Sequence, residues 1–284
     1  MAAEKNAPSS KSSESELPPK IMIEVKAISK SFKRRGKKRK SRFEAEPSTS
    51  GSIVHALTDV TFTAENGMIL GLLGQNGAGK TTLLRILSTS LKPTTGTASF
   101  DGIDVLQNPL EVRRKIGFLS DNTGLYGRLT GREMIEYFGM LHGIERHSLK
   151  KRVDELIGLL SMKDFIDKRN DTLSSGMKQK VSIARTLVHD PQIVMFDEPT
   201  TGLDVVASEA ILLFIESCKQ KGKTVLFCTH HMHEVERLCD TVVMLRQGRI
   251  CFTGTPRQML EKTGQTRLDK AFLALVGSGG QANA

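Results

Sequence analysis

The sequence lacks several features that would assign it to a particular class of protein. No apolar run approaches the roughly 18 residues that a membrane-spanning helix needs, so a function at a membrane would require a second chain to supply the span. Residues 1–20 are rich in Ser, Lys, Glu and Pro and contain no apolar stretch typical of a signal peptide. The 284 residues show no internal repeat. We therefore expect one large domain or two modest ones, none of them duplicated, after a disordered tail at residues 1–20.

Cysteine is scarce, and its spacing excludes two kinds of site. The four cysteines lie ten to twelve residues apart, at Cys218, Cys228, Cys239 and Cys251, and none forms a CxxC pair. This spacing fits neither a zinc site nor a disulfide scaffold. We expect reduced thiols in a cytosolic protein.

An excess of positive charge is confined to one short segment. The net charge is +10, but eight basic residues fall in a single run, namely Lys33, Arg34, Arg35, Lys37, Lys38, Arg39, Lys40 and Arg42. Without that run the chain has 33 basic against 31 acidic residues, so its body is close to neutral. A solvated loop at residues 33–52 explains the run, and attraction to anionic lipid headgroups is the alternative. We expect no nucleic-acid partner.

The order of apolar segments predicts an α/β fold. Unbroken apolar runs at residues 193–196 and 224–228 are typical of strands buried on both faces, and they alternate with helical patterns, which predicts a mainly parallel core sheet. Residues 21–32 and 53–62 predict two strands of an antiparallel β subdomain that flank the basic loop. A helical subdomain is expected at about residues 124–190. Residues 256–284 are expected to form a helix, at 268–276, and a loose tail.

A glycine-rich segment follows the apolar run at residues 68–73 and precedes a helical pattern. It reads GxxxxGK[ST], the motif of a phosphate-binding loop, and consists of Gly74, Gln75, Asn76, Gly77, Ala78, Gly79, Lys80, Thr81 and Thr82. Its glycines permit a tight turn that directs backbone N–H groups inward, and the helix N-terminus adds a positive end. We expect Lys80 to reach the β- and γ-phosphates of a nucleotide and Thr81 to bind Mg²⁺. The segment predicts a P-loop NTPase.

Two carboxylates follow the apolar run at residues 193–196. Asp197 and Glu198 are expected at the carboxyl end of a strand, where ligands bind in open α/β sheets. Asp197 is a candidate Mg²⁺ ligand through water, and Glu198 is a candidate base that orients the water attacking the γ-phosphate. An ordinary strand end is the alternative, which the upstream phosphate loop disfavours.

A histidine-rich segment follows the strand at residues 224–228. His230 is placed to hydrogen-bond a γ-phosphate, whereas His231 and His233 are expected on the surface of the next helix. His230 and His233 could share a helix face as zinc ligands. No acidic or cysteine ligand stands at a useful spacing, so we disfavour zinc.

Together these residues resemble the ATP-binding cassette (ABC) family of transport ATPases over residues 21–255. The segment 173–177, Leu-Ser-Ser-Gly-Met, resembles the LSGGQ signature and begins eighteen residues before Pro191. Residues 197–204 resemble the Walker B strand end and the D-loop, and Thr229-His230 resembles the switch histidine. Phe32 occupies the position of the aromatic residue that stacks on adenine. Asp121 replaces the family's usual Gln and could bind Mg²⁺ or its water.

The resemblance implies a mechanism that requires two subunits. Two domains, identical or paired, would close head-to-tail around two ATP molecules with Mg²⁺. Ser174, Ser175 and Gly176 of one subunit would then face the γ-phosphate held by the other, and Asp204 would link the two sites. The helical subdomain would transmit the motion to a membrane-spanning permease, at the cytoplasmic face of the cell membrane. The chain further resembles the branch that includes sodium-extrusion and drug-efflux ATPases, which implies an exporter without indicating its substrate.

Three other functions remain as alternatives. Soluble ABC ATPases that act on ribosomes or DNA usually carry two cassettes or a long coiled-coil insertion, and this chain has neither. A GTPase should show an NKxD motif for guanine, which is absent. A nucleotide-gated scaffold with little turnover is disfavoured by the presence of Glu198.

Overall fold

The computed structural model describes residues 20–33, 53–120 and 124–277. Four sequence predictions lie outside these residues: the tail before residue 20, most of the basic loop, Asp121 and the tail after residue 277. None of the helices in the described ranges is long and apolar enough to cross a membrane.

A six-stranded sheet forms the centre of the structure. Its order is β10-β9-β3-β8-β7-β6, and only the β9–β10 pair is antiparallel. The strands are β3 (Ile69–Leu73), β6 (Ile116–Leu119), β7 (Ile193–Asp197), β8 (Thr224–Cys228), β9 (Thr241–Arg246) and β10 (Arg249–Gly254). Every residue of β3, β7 and β8 is buried, as unbroken apolar runs require in a parallel sheet covered on both faces. The predicted mainly parallel core sheet is confirmed.

A second, wholly antiparallel sheet packs against one face of the first. Its order is β2-β1-β4-β5. The strands are β1 (Ile21–Lys33), β2 (Ile53–Glu65), β4 (Thr95–Phe100) and β5 (Ile103–Asp104). The predicted antiparallel β subdomain is therefore confirmed, including the return of β2 along β1.

Two hydrophobic clusters cover the two faces of the central sheet. Because side chains alternate along a strand, Val194 and Phe196 of β7 join one cluster and Ile193 and Met195 join the other. The second cluster also contains the antiparallel sheet and the helices α1 (Lys80–Leu87) and α2 (Pro109–Lys115). The apolar pattern of the sequence did not predict the seven-residue α2.

The other face carries the remaining helices. They are α3 (Gly131–Leu141), α4 (Arg146–Leu159), α5 (Ser175–Leu187), α6 (Val205–Gln220), α7 (Met232–Leu238), α8 (Pro256–Thr263) and α9 (Leu268–Gly277), with a 3₁₀ turn at Asn170–Thr172. Thr130 begins α3 with a capping box that it forms with Glu133. Three of these helices, α3 to α5, lie within the predicted helical subdomain, whose limits stay a prediction.

The C-terminal region contains two helices where sequence analysis expected one. Met259 of α8, together with Leu268 and Ala271 of α9, is buried in the larger cluster. A second capping box, between Thr255 and Gln258, begins α8. Polar residues dominate α8, so its apolar periodicity was too weak to reveal it.

Candidate active site

The phosphate loop lies between the end of β3 and the start of α1, as predicted. Three of its glycines have positive φ, at 149° for Gly74, 82° for Gly77 and 108° for Gly79. A Cβ on Gly74 would lie 2.5 Å from the backbone oxygen of Leu245, and a Cβ on Gly79 would lie 2.7 Å from that of Ala56. Conformation and close backbone approach therefore both require glycine at these two positions.

Lys80 is folded into the centre of this loop. Its side chain is buried, and Nζ donates to the backbone oxygen of Gly74 at 2.6 Å. The loop borders a cleft of about 260 Å³, lined by Ala56, Gln75, Asn76, Gly77, Gly79, Lys80, Thr81, Thr82, Asp197 and Glu198. Ala78 is buried behind the loop, where its N–H donates to Gln75 at 3.0 Å. The structure thus brings the loop and both predicted carboxylates to one cleft.

The predicted magnesium ligands touch each other. The Thr81 hydroxyl donates to Oδ2 of Asp197 at 2.9 Å, and Asp197 is the last residue of buried strand β7. A hydroxyl and a carboxylate side by side at the phosphate loop are hard oxygen donors of the type that Mg²⁺ prefers. These residues therefore fit the ion.

Glu198 contacts His230, the histidine that was predicted to hydrogen-bond a γ-phosphate. Oε2 of Glu198 lies 2.6 Å from Nδ1 of His230 and also accepts from the Thr201 hydroxyl at 3.1 Å. The backbone of Glu198 has φ +54°, a conformation that non-glycine residues rarely adopt and that is often found at active sites. This turn directs the carboxylate into the cleft immediately after Asp197.

The residues of the predicted signature lie on the surface at the start of α5. Ser174 caps the helix by accepting from the N–H of Met177 at 3.3 Å, and both Ser174 and Ser175 are exposed. Gly176 approaches α6 so closely that a Cβ would lie 3.0 Å from that of Ala207. The two serines must be exposed if they are to contact a second subunit. The contact itself stays a prediction.

Asp204 and Phe32 lie in different surroundings. Asp204 is exposed and caps α6, accepting from the N–H of Ala207 at 2.8 Å. Phe32 lies near the end of β1 and is 42% exposed, with Nζ of Lys30 5.3 Å from its ring centroid. It does not line the cleft described above, whereas Ala56 of β2 does. Its predicted stacking on adenine stays a prediction.

Two polar residues near the site were missed by sequence analysis. Nε2 of Gln179, in α5, donates to the backbone oxygen of Pro199 at 2.7 Å and so connects α5 to the turn after Glu198. Glu234, in α7, is 2% exposed and accepts from the hydroxyls of Thr200 and Thr229. Only tertiary contacts distinguish these two residues from ordinary helix-surface Gln and Glu.

Comparisons with known proteins agree with this geometry. The family model described as "ABC transporter" matches residues 57–201. The ABC transporter ATP-binding protein NatA of Bacillus subtilis is 42% identical over 228 residues, covering 80% of this chain and 93% of the relative. The doxorubicin resistance ATP-binding protein DrrA of Mycobacterium tuberculosis is 38% identical over 216 residues, covering 76% and 65% respectively.

Solved structures show the same fold. An ATP-binding subunit of an ABC transporter superposes with a TM-score of 0.75 at 28% identity, covering 89% of this chain and 99% of that one. A dimeric post-hydrolysis state of the cassette MJ0796, bound to ADP and Pi, gives 0.72 at 26% identity, covering 82% and 98%. The resemblance to the branch of sodium-extrusion and drug-efflux ATPases is also confirmed. The chain therefore belongs to the ABC transporter family, as one of its ATP-binding and ATP-hydrolysing subunits.

Proposed function

We propose that this subunit hydrolyses MgATP to drive export through a membrane-spanning permease partner, at the cytoplasmic face of the membrane. One observation carries the catalytic part of the proposal. The Glu198–His230 contact, at 2.6 Å, stands beside the Thr81–Asp197 contact, at 2.9 Å. The proposed base Glu198 and its partner His230 thus lie beside the phosphate loop, next to the two oxygen ligands proposed for Mg²⁺.

The phosphate loop binds the triphosphate through its backbone N–H groups and the N-terminus of α1. Nζ of Lys80 donates to the backbone oxygen of Gly74 beside the cleft, and its ammonium would also donate to the phosphate oxygens. Thr81 and Asp197 would hold Mg²⁺, which when bound offsets the negative charge of the β- and γ-phosphate oxygens. These groups position the γ-phosphate opposite Glu198.

A water molecule attacks the γ-phosphorus, and Glu198 orients that water or removes a proton from it. Nδ1 of His230 contacts Oε2 of Glu198, and the side chain of His230 is 49% exposed. The ring is therefore free to turn from the carboxylate toward a γ-phosphate oxygen. Closure of two subunits would complete the site. Ser174, Ser175 and Gly176 of one subunit would cover the γ-phosphate of the other, next to the D-loop residue Asp204.

The export direction rests on the names of relatives. They include the drug-resistance protein DrrA and a Nod factor export ATP-binding protein of Burkholderia lata, 36% identical over 202 residues. Both are ATP-binding proteins of systems named for resistance or export. This chain would serve an equivalent system, whose cargo is selected by the permease.

The catalytic proposal is tested with Glu198→Gln, which keeps the shape of the side chain and removes the base. Steady-state ATP hydrolysis should fall by roughly 100-fold or more, because general base catalysis contributes about that much. Glu261→Gln, at an exposed glutamate of α8, is the matched control and should hydrolyse ATP at the wild-type rate. Equal rates for wild type and Glu198→Gln would remove the catalytic assignment.

The partner is tested by isolating the subunit from cells in mild detergent. Recovery of a membrane-spanning chain in fixed stoichiometry supports the transporter role. Recovery with ribosomes or DNA, without any membrane chain, would reject it.

A further inference from the structure

We infer that Glu234 is a positioning residue for hydrolysis, whose buried carboxylate holds the turn after Glu198 and the turn that carries His230 in register. The inference rests on the catalytic roles proposed for Glu198 and His230. Glu234 itself touches neither residue and acts through the two threonines that flank them.

The contacts form a closed ring. Oε1 of Glu234 accepts from the Thr200 hydroxyl at 2.7 Å, and Oε2 accepts from the Thr229 hydroxyl at 2.5 Å. Thr200 lies two residues after Glu198, and Thr229 immediately precedes His230. The Glu198–His230 contact closes the ring on the other side. Two side-chain links therefore join the same two turns, in addition to the backbone hydrogen bond that the Glu198 N–H donates to the Cys228 oxygen at 3.1 Å.

The two links differ in their access to water. Glu234 is 2% exposed, Thr200 4% and Thr229 0%. By contrast, the side chain of His230 is 49% exposed, so water can compete for its contact with Glu198. Because a buried carboxylate is costly without hydrogen-bond partners, moving either threonine away would leave an unpaired oxygen. The buried link is the persistent one.

The fold fixes where the carboxylate of Glu234 lies. It belongs to the first turn of α7, where the helix N-terminus favours negative charge. The next residue, Val235, is fully buried, and Leu238 is buried one turn later. Packing of these two side chains in the core therefore fixes α7 and the position of the Glu234 carboxylate. Both threonines are held in place by their hydrogen bonds to that carboxylate.

This arrangement has a consequence for catalysis. When His230 leaves Glu198 to contact a γ-phosphate oxygen, the exposed link is broken while the buried one persists. Glu234 then keeps both side chains within reach of the same phosphate. Because displacement of a reacting group by about 1 Å can cost about 100-fold in rate, loss of this link should lower kcat more than it weakens nucleotide binding.

The experiment compares Thr200→Val, which deletes one hydroxyl at nearly constant shape, with Thr200→Ser, which keeps it. We expect Thr200→Val and Glu234→Ala to lower kcat by about 10- to 100-fold, with KM for ATP changed by less than about threefold. Thr200→Ser should stay within about threefold of wild type. Glu236→Gln, at an exposed glutamate of the same helix, is the matched control and should also match wild type.

A double-mutant cycle with His230→Ala separates positioning from general destabilisation. If Glu234 acts through the two turns, Thr200→Val should cost less than about threefold in the His230→Ala background. The same fractional loss in both backgrounds would overturn the inference. So would equal kcat for Thr200→Val and Thr200→Ser when rates are normalised to the number of nucleotide-binding sites.

A measurement without turnover distinguishes failure of the inference from failure of the proposed function. NMR signals of the His230 ring in the nucleotide-free protein should shift in Thr200→Val and stay in place in Thr200→Ser. Unchanged signals in Thr200→Val would reject the positioning role whether or not the protein hydrolyses ATP. A shifted His230 signal in Thr200→Val, together with a wild-type rate of ATP hydrolysis for Glu198→Gln, would have a different meaning. It would support the link through Glu234 and reject the catalytic roles proposed for Glu198 and His230.

Discussion

The hydroxyl of Thr81 donates a hydrogen bond of 2.9 Å to Oδ2 of Asp197, which lies 116 positions later in the chain. Thr81 belongs to the first turn of α1, and Asp197 ends β7. Strand β8 separates β3, which leads into the phosphate loop, from β7. The contact therefore spans two strand spacings at the carboxyl edge of the sheet, and it fixes the position of the proposed Mg²⁺ ligand Asp197 relative to the phosphate loop.

Removal of this hydroxyl should weaken nucleotide binding only when Mg²⁺ is present. We expect Thr81→Val to lower the affinity for MgATP by about tenfold or more, because a hydrogen bond or ligand at a charged group contributes roughly 1.5–3 kcal/mol. The affinity for ATP in EDTA should stay within about threefold of wild type. Fluorescent-nucleotide titrations in the two buffers measure both values, with Thr81→Ser as the hydroxyl-bearing control. Equal loss with and without Mg²⁺ would contradict the assignment.

Sequence patterns predicted the parts of the site that lie next to buried strands. The phosphate loop and the Asp197-Glu198 pair each follow an unbroken apolar run, and parallel strands bring such positions to one edge. The contacts of Gln179 and Glu234 could not be predicted in this way. They depend on how α5 and α7 are oriented over the sheet. Gln179 lies 20 residues from Pro199, and Glu234 lies 34 residues from Thr200 and five from Thr229.

The fold shows a similar division. Apolar periodicity predicted the buried strands and the helical region that contains α3, α4 and α5. It failed for α8, where the helix is specified by a capping box and one buried methionine, Met259. Local hydrogen bonds at a helix terminus are weaker signals in sequence than a repeated apolar face.

Close packing of Gly176 against Ala207 should make the signature intolerant of larger side chains. We expect Gly176→Val to abolish ATP-dependent dimerisation, measured in the Glu198→Gln background, in which slow ATP hydrolysis should preserve the dimer. The affinity of the monomer for ATP should stay unchanged. The added Cβ would lie 3.0 Å from that of Ala207 and displace the start of α5. Light scattering with and without ATP measures dimerisation, and Gly176→Ala with Ala207→Gly is the compensated control. Normal ATP-dependent dimerisation of the Gly176→Val protein would contradict the predicted role of Ser174, Ser175 and Gly176 at the dimer interface.

Gly71 in the middle of β3 should be sensitive to a single methyl group. A Cβ at this position would lie 2.8 Å from Sγ of Cys239 and 3.1 Å from Cγ1 of Val242. We expect Gly71→Ala to lower the free energy of unfolding by about 1–3 kcal/mol through overpacking. Addition of Cys239→Ala should recover part of that loss, so that the two effects are not additive.

Urea unfolding measures this effect, and Gly158→Ala provides the matched control. Gly158 lies within α4, and a Cβ there would meet no atom within 4 Å. Because alanine is the better helix former, the control should be more stable than wild type by about 0.5–1 kcal/mol. A Gly71→Ala protein as stable as wild type would show that the strand and Cys239 can move apart.

The stacked pair His142 and His189 should make stability depend on pH. Their ring centroids are 3.8 Å apart with an angle of 3° between the planes, and Nε2 of His189 lies 2.9 Å from the backbone oxygen of Ile116. Because a carbonyl only accepts, Nε2 carries the proton of the neutral ring. Burial, assisted by neighbouring His142 and Lys223, lowers the pKa of His189 to about 4, although the hydrogen bond to Ile116 and the charge of Asp190 act in the opposite direction. Burial also lowers the pKa of His142.

The sign of the effect follows from the proton balance. In the unfolded chain His189 titrates near its ordinary pKa of about 6.5, so between about pH 6.5 and pH 4 the unfolded state binds the additional proton. Its contribution to stability is therefore complete above about pH 6.5 and is lost as the pH falls toward 4. Because the pKa of His189 is about 4 in the folded protein and about 6.5 in the unfolded chain, we expect a loss of up to about 3 kcal/mol. Urea unfolding at pH 7, 6, 5 and 4.5 should show wild type losing more stability than His189→Gln, whose amide can still donate to Ile116. Parallel profiles would mean that folding does not lower the pKa of His189.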